Sequence, residues 1–123
     1  MKTITEFYQN LKNNFSKIDQ CSFWNKYDWS EEGYENSFII TEIAREISQW
    51  NTKSECAEFD NLFQIIENGF LEYDIKTSSL LATDFLVSLM EIKEKRIRDE
   101  IKKFMRSKTQ EKYGEMLKFY RET

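Results

Sequence analysis

Apolar residues recur along most of this chain at three- and four-residue steps, the spacing that lays one stripe along a helix. Over residues 3–18 the stripe is Ile4, Phe7, Tyr8, Leu11, Phe15 and Ile18, with Thr3 or Thr5 as cap. Ser37 opens a second stretch with Phe38, Ile39, Ile43, Ala44, Ile47 and Trp50 inward. The run NTKSE, 51–55, interrupts, and Ser54 is the expected N-cap of a third helix carrying Cys56, Phe59, Leu62, Phe63, Ile66 and Phe70, its last turn loosened by Gly69. Asp74 is placed to cap a fourth helix over 75–92, with Leu81, Phe85, Leu86, Leu89 and Met90 as its apolar set and Ser78 and Ala82 small enough for close packing. A charged fifth helix over about 93–106 buries Ile97, Ile101, Phe104 and Met105. A short last helix, capped by Ser107 or Thr109, carries Tyr113, Met116, Leu117 and Tyr120.

No stretch alternates with period two. The expectation is therefore an all-α fold: one domain over 1–123, an irregular bundle of five to six helices arranged as antiparallel helix pairs. The pair 54–72 and 75–92, joined by a tight turn, has the form of one unit of a helical-repeat array, but a single pair does not establish a repeat.

One segment has no helical period. Residues 21–36, CSFWNKYDWSEEGYEN, hold five large aromatics and four carboxylates in sixteen positions. As a lid, these aromatics cover one end of the bundle. As an interface, Trp24, Tyr27, Trp29 and Tyr34 are anchors, and Asp28, Glu31, Glu32 and Glu35 form a carboxylate rim that steers a basic partner inward. A connection this long exceeds what packing alone requires. The mixed expectation is Phe23 and Trp24 turned in, with Tyr27, Trp29 and Tyr34 at least partly out.

Composition narrows the chemistry. A chain of 123 residues buries roughly two-thirds of its unfolded surface, enough for one core without staples. It has no histidine, which removes the commonest general base, the commonest metal ligand and every imidazole-dependent triad. With no proline and three glycines, it has no glycine-rich phosphate loop. Cys21 and Cys56 read as reduced, buried thiols in a chain without an apolar leader. No run approaches the roughly 20 apolar residues of a membrane span, so the expected location is cytoplasmic, with no membrane partner.

The charge is split. Residues 1–92 carry 7 Lys/Arg against 16 Asp/Glu, and residues 93–123 carry 11 against 6, for a chain total of −4. The basic stretch offers Lys93, Lys95, Arg96, Arg98, Lys102, Lys103, Arg106, Lys108 and Lys112 to a phosphate backbone, but Glu94, Asp99, Glu100 and Glu111 are interleaved, so nucleic acid is not the expected partner. Glu55 with Glu58, and Glu91 with Glu94, are carboxylate pairs one turn apart, the layout of magnesium-dependent helical nucleotide hydrolases. Lys93, Lys95 and Arg96 surround the second pair, and ordinary surface decoration has the same spacing.

The stretches LFQIIENGFLEYDIKTSSLLATDFLVSLME (62–91) and FMRSKTQEKYGEMLKFYRE (104–122) carry a resemblance. The first has a helix, an acidic turn and a second helix; the second has a closing helix with Ser107 or Thr109, Tyr113, Leu117 and Tyr120 in register. Together, the C-terminal two-thirds resembles a family of small all-helical bacterial proteins of uncharacterised function, whose members often look like immunity proteins of secreted-toxin systems. The motif is displaced here, since TDFL stands where the pattern has a glycine-phenylalanine pair, and residues 19–36 fall outside it. The resemblance implies an inhibitor that occludes a cognate toxin or effector protein, without catalysis or cofactor. The expected function is therefore binding, with two alternatives: a magnesium-dependent nucleotide hydrolase, and an adaptor holding nucleic acid on the basic helix. The sequence does not set the oligomeric state.

Overall fold

A computed structural model describes residues 1–122, and within them the fold is all-helical. In chain order the helices are α1 (Ile4–Asn14), α2 (Ser16–Asp19), α3 (Phe23–Lys26), α4 (Asn36–Ser48), α5 (Cys56–Leu71), α6 (Ile75–Leu80), a π-helical turn (Leu81–Leu86), α7 (Val87–Met90), α8 (Lys95–Lys102) and α9 (Ser107–Glu122). Among the described residues the sole extended pairing is an isolated parallel bridge between Lys2 and Tyr73, where the Asp74 amide donates to the Lys2 carbonyl at 2.9 Å. No helix of the described residues is long and apolar enough to cross a membrane.

The expected five to six helices are divided more finely. The first breaks at Phe15, which is extended (φ −133°, ψ 103°). The break follows two asparagines, and the Asn14 amide donates to the Asn10 carbonyl at 2.8 Å; such side chains offer the backbone an alternative to continuing the helix. All six residues of the expected stripe are nevertheless buried, because α2 folds back and keeps Ile18 in the core. The π-helical turn divides the expected helix over 75–92, which ends at Met90.

Of two expected caps, one forms and one is replaced. Asp74 caps α6 as expected, its carboxylate accepting from the Thr77 amide at 2.9 Å and the Thr77 hydroxyl at 2.6 Å. Ser54 does not cap α5. The Asn51 side chain instead accepts from the Lys53 and Ser54 amides, at 2.9 and 3.0 Å, and makes a local turn before the helix.

The buried apolar residues form one cluster contributed by α1–α5, the helix from Ile75 onward, Ile101 and α9. Phe59 stacks on Phe104 with centroids 5.2 Å apart, and Trp50 meets Phe59 edge-on. Gly69 does not loosen its turn: a side chain there would collide with Leu81 Cδ1 and stand 3.1 Å from Phe7 Cε1. It is a close-approach position joining α1, α5 and the π turn. Three residues of the expected stripes are exposed. Phe38 is 53% and Tyr120 48% exposed, and Cys56, the first residue of α5, is exposed because the stripe runs past the end of the core.

Candidate functional site

The aromatic-acidic segment is not a loose loop. Its first part forms α3, which places Phe23 and Trp24 in the core. Trp24 was an expected anchor for a partner, and the structure corrects this. Its ring packs against Tyr8, Phe23 and Trp29, and its indole N–H donates to the Ile18 carbonyl at 2.8 Å. A buried indole must satisfy its N–H, and here the last turn of α2 supplies the acceptor. Trp24 is therefore a floor for the loop rather than a contact.

The remainder, 27–36, is held from below by Asn36. This residue is 2% exposed, and its side-chain amide donates to the Ser30 carbonyl at 3.0 Å and the Gly33 carbonyl at 2.6 Å. The Tyr8 hydroxyl donates to Asn36 Oδ1 at 2.7 Å. Burial, and secondarily the nearby Asp84 carboxylate, raise the Tyr8 pKa far above the ordinary phenol range, so it remains a donor. Gly33 is required by closeness: a Cβ there would lie 2.6 Å from the Asp28 carbonyl.

The rim makes further ties. Asp28 accepts from the Ser30 amide at 3.0 Å, and this bond holds its carboxyl below the usual range. Glu35 accepts from the Asp28 amide at 3.1 Å. The Thr5 hydroxyl donates to Glu31 Oε1 at 3.2 Å, and Lys76 donates to the Glu31 carbonyl. Asp28, Glu31 and Glu32 are exposed; Tyr27, Trp29 and Glu35 are half-buried. Tyr34 is 90% exposed. Two grooves flank the turn: one of about 410 Å³ against Thr5, Tyr27 and Trp29, and one of about 440 Å³ between Tyr34, Ser37 and the Lys76–Thr83 stretch of α6 and the π turn.

Phe38 was missed as a surface residue, although the wheel contains the signal. At about 100° per residue it stands roughly half a turn from the centre of Ile39, Ile40, Ile43, Ala44 and Ile47. It packs against Tyr27, centroids 5.6 Å apart, and widens the exposed aromatic surface. Asn36 had no signal beyond its residue type, because its role depends on a fold that brings Tyr8 beneath it.

The other candidate sites are occupied by their own contacts. Glu55 binds Lys17 and accepts from the Asn51 amide at 3.2 Å, while Glu58, Glu91 and Glu94 are exposed. Among the described residues, no group of three or more His, Cys, Asp or Glu side chains is placed to hold a metal ion. On the basic stretch, Lys95 pairs with Asp99 at 2.8 Å, Arg96 with Glu100 at 3.0 Å and Arg106 with Asp60 at 3.2 Å. Arg98 donates to the Lys93 carbonyl at 3.1 Å, and Lys102 sits over the Tyr113 ring. Exposed pairs contribute little stability, but they lower the local field that a phosphate backbone would feel.

The thiols are unpaired. Half-buried Cys21 donates to the Lys17 carbonyl at 3.2 Å; burial first, then the Glu46 carboxylate, push its pKa up to about 11. That leaves little thiolate at neutral pH.

No protein-family model, curated protein or solved structure matches this chain.

Proposed function

We propose that this protein acts by contact: an immunity protein, located in the cytoplasm, that binds a cognate toxin or effector protein through the 27–36 loop and occludes it without catalysis. The observation that carries the reading is Tyr34, 90% exposed on a loop whose backbone is pinned by the buried Asn36. A tyrosine on a pre-ordered backbone loses little freedom on binding and supplies a large amphipathic contact. Asp28, Glu31 and Glu32 around it attract a basic partner and raise the association rate, an effect that weakens with salt. The scaffold reading, residues 62–91 and 104–122 as the frame of the immunity-like family within a bundle of antiparallel helix pairs, belongs to the same proposal.

The test uses the polypeptide encoded beside this one. Expressed alone it arrests growth; expressed with this protein it does not, and the two purify as a complex. Tyr34→Ala weakens that complex by about 2 kcal/mol, the size of an interface hot spot. An adjacent product that neither arrests growth nor binds, or substrate turnover by the purified protein that one carboxylate substitution abolishes, removes the reading.

A further inference from the structure

We propose that the groove between Thr5 and the 27–30 turn receives one arginine side chain of the protein partner, its guanidinium against the Trp29 and Tyr27 rings and paired with the Asp28 carboxylate. This names the partner chemistry of the loop and rests on the protein-binding reading above.

The groove holds about 410 Å³ and is lined by Thr5, Tyr27, Asp28, Trp29 and Ser30, so two half-buried rings and a carboxylate share one small concavity. Its rings already attract cations. The Lys12 ammonium lies 5.0 Å from the Trp29 centroid and 4.7 Å from that of Trp24, and Lys26 lies 5.2 Å from Tyr27. An aromatic face favours a cation through its quadrupole, and each ring has two faces.

The rim is acidic on both sides. Asp28 belongs to one wall; Glu31 is bonded to Thr5 on the other, and Glu35 is bonded to the Asp28 amide. Segment 27–36 contains four carboxylates and no basic residue. Among the nearby cations, Lys12 is paired with Asp19 at 3.4 Å, and Lys26 and Lys76 do not balance the four acids, so the groove is electrostatically complementary to a cation. The Ser30 amide keeps Asp28 ionised at neutral pH. Arginine fits better than lysine because its flat, weakly hydrated guanidinium stacks on a ring while forking onto a carboxylate.

The test follows the Trp29 indole N–H by ¹H–¹⁵N NMR during titration with Nα-acetyl-arginine amide, with the citrulline amide as neutral isostere. Arginine produces a saturable shift at Trp29 with millimolar affinity, and citrulline binds at least about fivefold more weakly. Asp28→Asn retains an acceptor for the Ser30 amide, so the loop keeps its fold, and arginine binding falls about fivefold. No saturable shift at Trp29, or equal shifts from both probes, overturns the assignment. Tyr34 lies outside this groove and separates the two readings. If Tyr34→Ala weakens the toxin complex while arginine leaves Trp29 unmoved, the groove assignment fails and protein binding stands. If arginine binds at Trp29 and no complex forms, the groove chemistry stands and the immunity role fails.

Discussion

Asn36 and Glu67 do the same work for two oppositely charged parts of the molecule, with opposite chemistry. Asn36, a neutral amide, ties down the acidic loop 27–36 and leaves Asp28, Glu31 and Glu32 facing solvent. Glu67, 6% exposed on α5, ties down the basic C-terminal helix: its carboxylate accepts from the Lys108 amide at 2.9 Å, the Thr109 amide at 2.8 Å and the Thr109 hydroxyl at 2.8 Å. It caps α9 from a neighbouring helix, where the first N–H groups and the positive end of the dipole favour an anion. Lys108 and Lys112 beyond it each pair with an acid three residues along. In the first region three carboxylates face solvent; in the second several of the cations are paired within the fold.

The largest consequence should come from the charged anchor. Glu67→Ala strands two buried donors of Thr109 and the half-buried Lys108 amide, and we expect a loss of about 3 kcal/mol in urea unfolding, with amide protection lost first along α9. Asn36→Ala leaves the Ser30 and Gly33 carbonyls and the Tyr8 hydroxyl without this partner. The expected cost is about 2 kcal/mol, with faster hydrogen exchange confined to 27–36. A loss spread evenly over the chain in either variant would break the contrast between two local ties.

The two anchors also separate by pH. Burial raises the Glu67 pKa, but the hydrogen bonds from Lys108 and Thr109, helped by Arg106, outweigh it, so the net shift is downward. A carboxyl with a lowered folded-state pKa contributes stability above its unfolded pKa, about 4.3, and loses it as pH falls through the folded value. The advantage of wild type over Glu67→Gln should therefore be constant from about pH 8 to 5 and close below about pH 4, whereas the cost of Asn36→Ala should not follow that titration. The smallest effect belongs to Tyr34→Ala, which should change folding stability by less than about 0.5 kcal/mol because the ring is almost fully solvated. A larger loss would mean that this ring serves the fold.

Much of the fold was legible because its helices carry narrow apolar stripes. Ile4, Phe7, Tyr8, Leu11, Phe15 and Ile18 are all buried, and Asp74 caps the helix it was expected to cap. The misses share a cause. Phe38 was assigned inward for being aromatic although its angular position opposed the stripe, and Cys56 lay on the stripe but beyond the core it serves. Glu67 could not be recognised, since a carboxylate inside an apolar face shows its value only when another helix end arrives. The aromatic loop was visible as a region; its ordering by one asparagine required the packed tyrosine beneath.

The π-helical turn at Leu81–Leu86 contacts α4, α5 and α9 together. A wider turn accommodates an extra residue that a regular α-helix would not. The wider winding keeps Leu89 in the interior and sets Asp84 against the Ser37 hydroxyl, 2.8 Å away. Removing one residue here lets ordinary α winding take its place with the downstream facing kept, whereas a deletion within the regular helix α5 rotates everything beyond it by about 100°. A single-residue deletion within 81–86 should therefore be tolerated better than one in the middle of α5.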